Sequence, residues 1–213
     1  MNLKLQNYLA SYRKIVGNAF QYDVRSLEKF AKALELYNRD RSRKAVDLLL
    51  KLLKVCKQDQ DYAVVYAFLG ICYEEIGYPE LAKDAYISST NYNDQISTVW
   101  SNLGLMHKNA GDFDQAMYCF NKAMECDPNN AYAHYNKGAL YYRQADNENA
   151  LACCYKALQL QHNLYQAAEV VCCIHFIENR QDMYRKYYQM AVSNGSTYER
   201  MENILSEYKK INL

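Results

Sequence analysis

Trp100-Ser101-Asn102-Leu103-Gly104-Leu105-Met106-His107-Lys108-Asn109-Ala110-Gly111-Asp112-Phe113-Asp114-Gln115-Ala116 lies at the centre of a pattern that returns every 34 residues between Ala63 and Leu164. Gly104 is matched by Gly70 and Gly138, Ala116 by Ala82 and Ala150, and Ala123 by Ser89 and Ala157. Tyr86, Phe120 and Cys154 share a fourth register. Each unit therefore places small residues 12 and then 7 positions apart. Two helices approach to roughly 8 Å only where small side chains meet at the crossing. A glycine inside a helix costs about 1 kcal/mol relative to alanine, a loss that close packing would offset. The period predicts pairs of antiparallel helices stacked in series.

Within the first helix of each pair, apolar residues follow helical spacing. Tyr66 and Trp100 precede their glycines by one turn, Leu69 and Leu103 stand immediately before them, and Tyr73, His107 and Tyr141 follow three residues later. The second helix is expected after Gly77-Tyr78-Pro79, Gly111-Asp112-Phe113 and Ala145-Asp146-Asn147, and proline suits a first helical turn.

Trp100, Leu103-Gly104, His107, Gly111-Asp112-Phe113, Ala116, Phe120, Ala123 and Pro128 resemble a nearly complete tetratricopeptide (TPR) repeat, with His107 where the family usually has Tyr. The neighbouring units at 63–96 and 131–164 depart further: Asp94 and His162 stand at the proline place, and Lys137 replaces Leu. The resemblance implies an all-α, right-handed superhelical α-solenoid of about five TPR-like helix pairs. A leading helix would occupy residues 1–25, a degenerate repeat 26–62, full repeats 63–96, 97–130 and 131–164, a degenerate repeat 165–195 and a capping helix 196–213, all in one array.

Outside the repeats the signals are local. Leu3, Leu5, Tyr8, Leu9, Tyr12, Ile15 and Val16 form an amphipathic stripe ending at Gly17. Ser26 is the expected cap of the next helix, and Ala33 and Ala45 repeat the spacing of 12. In the fifth unit Cys172 holds the glycine register, but Tyr184 stands where the others have Ala, and its bulk is expected to push the two helices apart. Ser196-Thr197-Tyr198-Glu199 reads as a capping box. Met201, Ile204, Leu205 and Tyr208 are spaced to cover the end of a stack.

The eight cysteines, which include the adjacent pairs Cys153-Cys154 and Cys172-Cys173, fall inside expected helices with no C-x-x-C spacing. They read as buried thiols of a reducing compartment, not as a disulfide framework. Cys172 and His175 are one turn apart, but a structural zinc site needs four ligands. No metal and no cofactor is expected. The amino terminus lacks the apolar run of a secretory signal, and no stretch is long and apolar enough to span a bilayer. Cytoplasmic residence without membrane insertion is the expectation.

Residues 1–60 hold 13 Lys and Arg against 6 Asp and Glu, and the remainder 12 against 18. Arg39, Arg41, Arg43 and Lys44 concentrate the excess in one turn. No aromatic residue interleaves them as a single-strand platform requires, so the cluster reads as a solvated helix face and nucleic acid is not an expected partner. Opposite charge at opposite ends leaves homo-oligomerisation open.

The resemblance also implies which face binds. Counting units from 63, 97, 131 and 165, places 2, 5, 6, 9, 12 and 13 of the first helix would line a concave groove. These are Val64, Ala67, Phe68, Ile71, Glu74 and Glu75, then Thr98, Ser101, Asn102, Leu105, Lys108 and Asn109, then Tyr132, Tyr135, Asn136, Ala139, Tyr142 and Arg143. Val170, Cys173, Phe176 and Ile177 make the last stretch apolar. Asn102 and Asn136 occupy equivalent places, and an amide can bond both groups of a peptide backbone. This resembles the asparagine ladder in the TPR region of O-GlcNAc transferase. The carboxylate clamp of chaperone adaptors is absent, because Ala67, Ile71, Tyr132 and Asn136 replace its other residues and only Asn102 fits. The four histidines are scattered, and no nucleophile, base and orienting group converge. The expected function is a non-catalytic scaffold binding a peptide segment of a partner protein. A bacterial-type peptide sensor and a self-assembling structural subunit are the alternatives.

Overall fold

The computed structural model describes residues 19, 20 and 23–211, with side chains as far as Ser206. The leading helix expected over residues 2–17 lies outside the described residues. Among the described residues every regular element is an α-helix. One compact unit, within Met1–Ala110, contains α1 (Val24–Tyr37), α2 (Ser42–Leu53), α3 (Asp59–Glu75), α4 (Pro79–Tyr92) and α5 (Ser97–Asn109). The other, within Gly111–Leu213, contains α6 (Phe113–Cys126), α7 (Ala131–Arg143), α8 (Asn147–Leu160), α9 (Tyr165–Ile177), α10 (Gln181–Ser193) and α11 (Tyr198–Ile211).

In the first unit α1 packs on α2 and α3 on α4, and in the second α7 packs on α8 and α9 on α10. The turn joining two helices of a pair needs one residue in the left-handed region. Asp40, Gly77, Gly111, Ala145 and Asn179 occupy it, with φ of 55, 81, 82, 59 and 55°. Only two of the five are glycine, so Ala145 holds a conformation that costs an L-residue roughly 1–2 kcal/mol. Just beyond, Asp112 and Asp146 accept from the Gln115 and Asn149 amides at 3.2 and 3.1 Å, capping α6 and α8. Pro79 opens α4 as expected.

The small-residue registers are buried, and at Gly70 and Gly138 they are the crossings of a helix pair. Ala82, Ala116, Ala150, Ser89, Ala123 and Ala157 are fully buried, as are Tyr86, Phe120 and Cys154. A Cβ on Gly70 would stand 2.5 Å from Tyr86 Cδ1, and one on Gly138 would stand 2.7 Å from Cys154 Sγ and 3.1 Å from the Ala150 carbonyl oxygen. Real Cβ atoms do not come within 3.0 Å, as the first two of these would, so glycine is there for want of space. The Ser89 hydroxyl, at an otherwise Ala position, donates to the Ala63 carbonyl at 2.7 Å and leaves no orphaned polar atom.

Three local expectations are corrected. Asp23, not Ser26, caps α1: its carboxylate accepts from the Arg25 and Ser26 amides and from the Ser26 hydroxyl. A carboxylate complements the positive end of a helix better than a hydroxyl. At the other end Thr197 Oγ1 accepts from the Arg200 amide at 3.0 Å, so the cap lies one residue later than the Ser196 box. Ser196 is diverted to Glu169, to which it donates at 2.5 Å. Tyr184 does not part its helices. Its ring leaves the crossing for Phe176 and Tyr188, with centroids at 5.4 and 5.8 Å, while the Cys172 thiol approaches the Tyr184 carbonyl at 3.8 Å.

Helix α9 is the centre of the second unit, with nine of its 13 residues buried. Met201 and Leu205 of α11 are buried against this end of the unit. Glu169 on α9 is 5% exposed, and Arg200 of α11 grips its two carboxylate oxygens at 2.7 and 3.1 Å. This fork is the polar contact that fixes where α11 sits.

Gly138→Ala is expected to destabilise the second unit by about 1–3 kcal/mol in urea unfolding, and Cys154→Ala in the same chain should recover part of that loss by removing the nearer of the two clashes. Arg200→Met is expected to cost about 1–2 kcal/mol, below the value for a fully buried pair because Arg200 is half in solvent. Limited proteolysis should then cut first at Asn194–Thr197, ahead of the loosened α11.

Candidate functional site

In the first unit the sites expected on α3 divide. Val64, Ala67 and Phe68 are buried core, not groove. The reason is aromatic packing: Phe30 of α1 meets Phe68 edge-on at 5.1 Å, and Phe20 meets Phe30 at 5.4 Å. The Phe20 amide is tied to the Asp61 carboxylate of α3 at 2.7 Å, which holds that segment on the helix. Ile71 is half-buried, and Glu74 and Glu75 are exposed.

On α5, Thr98, Asn102, Leu105 and Lys108 are half-buried, and Ser101 is buried. Asn102 is not a free amide. Its Nδ2 donates to the Tyr86 hydroxyl at 2.9 Å, and that hydroxyl donates to Glu74 Oε2 at 2.5 Å. Burial and the Glu74 carboxylate hold the Tyr86 phenol far above its usual pKa, with the Asn102 hydrogen bond a smaller opposing influence. Tyr86 therefore stays a donor, and the chain Asn102–Tyr86–Glu74 ties two expected groove positions to the same buried phenol. One N–H and the carbonyl of Asn102 remain for a ligand.

In the second unit, α7 carries the largest set of expected site residues. Tyr132 is 50% exposed, Tyr135 and Tyr142 are half-buried, and Arg143 is exposed with its guanidinium 4.9 Å from the centre of the Phe113 ring. Asn136 is 4% exposed. Helix α7 is flanked by α9 as well as by α8, which narrows the strip left to solvent. The second amide of the expected pair is thus inside the packing, and the two positions are not equivalent.

The register counting passed over Glu169, although it stands at place 5 of its unit, equivalent to Tyr135. Its charge, after burial, is the next influence holding the Tyr135 phenol up at about 12. Tyr135 is a protonated phenol near a carboxylate that is paired with Arg200. Of the apolar carboxyl end, Val170 and Cys173 are buried, Phe176 is half-buried and Ile177 is 37% exposed.

Most of the cysteines, and one of the histidines, are affected by burial. Burial pushes the thiols of Cys56, Cys72, Cys154, Cys172 and Cys173 up to about 12, and Cys153 upward too. The nucleophilic thiolate is correspondingly scarce. His175 is buried, and burial followed by the Arg180 charge lowers its pKa. Its Nε2 is 2.7 Å from the Tyr155 hydroxyl, and its Nδ1 is 3.8 Å from Glu178, whose carboxylate is engaged by Arg180 at 3.2 Å. Cys172 and His175 do not form part of any cluster of metal-ligating residues among the described residues. No described helix is long and apolar enough to cross a membrane.

Comparison with known families and folds agrees with the helix pairing. A TPR repeat model matches residues 104–144 and a tetratricopeptide repeat model matches 131–163. Among solved structures, PilF of Pseudomonas aeruginosa is similar at 18% identity with a TM-score of 0.74, covering 87% of this chain and 84% of that one. MamA is similar at 17% identity with a TM-score of 0.63, covering 85% of this chain and 97% of that one. These likenesses are of fold. With small-residue registers at the helix crossings, a left-handed turn within each pair and two repeat models matching between residues 104 and 163, that stretch consists of tetratricopeptide repeats and the chain has the fold of tetratricopeptide-repeat structures.

Proposed function

We propose that this protein is a non-catalytic interaction module that holds a peptide segment of a partner protein against the first helices of its repeats. The observation that carries this reading is the face of α7. Tyr132, Tyr135 and Tyr142 lie along one helix at positions separated by three and seven residues, so they share a face, and Arg143 ends it. Tyr132 keeps half its surface open although it is a large aromatic. Tyrosine presents wide, rigid contact area with little rotamer entropy to lose and a hydroxyl for polar groups, which is why it is enriched where binding energy concentrates. Arg143, already stacked on Phe113, is pre-organised to meet an acidic side chain.

In the first unit, α5 offers a more polar strip, with Thr98, Leu105 and Lys108 beside the part-engaged Asn102 and the buried Ser101. Asn136, being buried, has a packing role in this proposal, and the two-amide ladder is replaced by an aromatic face. Support for a scaffold and not a catalyst comes from the thiols held protonated and from His175 enclosed by Tyr155 and Glu178.

A peptide library displayed on phage and selected against the whole chain supplies the test. Selected peptides should shift the amide resonances of α7, and Tyr132→Ala with Arg143→Gln should weaken them by about 30-fold or more, as loss of a central aromatic contact of about 2 kcal/mol does. Both residues are exposed, so folding should be unaffected, which circular dichroism checks. Peptides that bind the variant as tightly as the parent, or that shift only helices other than α7, would overturn the assignment.

A further inference from the structure

We propose that the amino-terminal end of α2 is an anion site for a phosphoryl group, formed by Ser42, Arg43 and Lys44 with Arg41 at the cap. It lies wholly in the first unit and is independent of the α7 face.

Any helix leaves its first amides without intrahelical acceptors and gathers partial positive charge there. The remedy is usually an acidic side chain. Glu80, Asp114, Glu148 and Asp182 stand in the first turns of α4, α6, α8 and α10, and Asp112 and Asp146 cap two of these helices. Helix α2 has the opposite. Arg41 stands at the cap and makes no side-chain capping bond, and no acidic residue occupies the first turn. The Lys44 and Ala45 amides both turn to the Arg41 carbonyl, at 3.0 and 3.1 Å. Those of Ser42 and Arg43 have no acceptor among the described residues. Three exposed cations thus gather at the positive end of a helix, which raises its energy unless an anion joins them.

The second observation is the Ser42 hydroxyl. Ser42 is 4% exposed, and its Oγ has no hydrogen-bond partner. A buried hydroxyl left unpaired costs about 1–3 kcal/mol, whereas the buried serines Ser26, Ser89 and Ser196 are each hydrogen-bonded. Ser42 lines an open cleft of about 350 Å³ with Asp40, Arg41, Arg43, Lys44, Glu75 and Ile76. An oxyanion seated there would accept from the Ser42 hydroxyl, from the two open amides and from the cations together, the donor set that phosphate sites at helix ends use.

The cleft also contains two carboxylates, Asp40 and Glu75. They offset two of the three cations, so a carboxylate ligand, with one charge and two oxygens, gains little. A phosphoryl group, carrying close to two charges at neutral pH and three acceptor oxygens, matches the number of donors. The source is either free phosphate or a phosphorylated side chain of a peptide, and both present the same group.

The test uses the whole chain at constant ionic strength, with amide chemical shifts followed during titration with inorganic phosphate, a phosphoserine peptide, acetate and chloride. Saturable shifts of the Ser42, Arg43 and Lys44 amides with phosphate or the phosphopeptide, and not with acetate or chloride, are expected. Ser42→Ala should weaken that binding about tenfold, and Arg43→Gln with Lys44→Gln should abolish it while the helix signal persists. Tighter binding of the phosphopeptide assigns a peptide source, and tighter binding of inorganic phosphate a free one. Equal response to acetate, or affinity unchanged by Ser42→Ala, overturns the proposal.

Discussion

The closeness of approach between two helices at Gly70 and Gly138 is the constraint on which the rest of this fold depends. At both positions the facing side chain, Tyr86 or Cys154, already occupies the space a methyl group would need. The small positions of the same pairs follow from that: once the axes are so near, Ala82 and Ala150 cannot be larger on the opposing helix. The same crossing fixes the length of the pair, because 12 residues separate the two contacts and the chain must reverse within them. It reverses through one left-handed residue, and the fold accepts Asp40, Ala145 and Asn179 there. Closure of the pair outweighs an unfavourable backbone conformation of roughly 1–2 kcal/mol.

Close packing leaves polar side chains few places to go, and those that enter are tied to one another. Asn102, Tyr86 and Glu74 form one hydrogen-bonded chain, and Ser196, Glu169 and Arg200 form another. In each, a buried group is satisfied by one nearer the surface, so positions that helix counting assigns to a ligand are partly committed to the fold. The second set also explains the end of the repeat region. Without Arg200 the buried Glu169 carboxylate would keep only the Ser196 hydroxyl as a partner, which costs more than loss of a surface pair.

Chemistry and binding separate for the same reason. Six of the cysteines and His175 are enclosed where burial pushes the thiol pKa up and the imidazole pKa down. Among the groups that reach the surface are aromatic area on α7 and positive charge at the start of α2. One is suited to extended contact and the other to a single anion. They lie in different units, and nothing in either depends on the other.

The pairing of helices within each unit and the crossing residues Gly70 and Gly138 were legible in the sequence, because a fixed period of glycine and alanine has one steric meaning. Local capping was less so: Asp23, Ser26, Ser196 and Thr197 are all chemically able to cap, and the choice turned on tertiary partners such as Glu169. Which groove positions are open was decided only by the tertiary structure. Periodicity says which face of a helix a residue occupies, but not whether Phe30 meets Phe68 edge-on or whether a neighbouring helix encloses Asn136. Side-chain spacing along one helix is a property of the local chain, whereas burial depends on residues brought in from elsewhere in it.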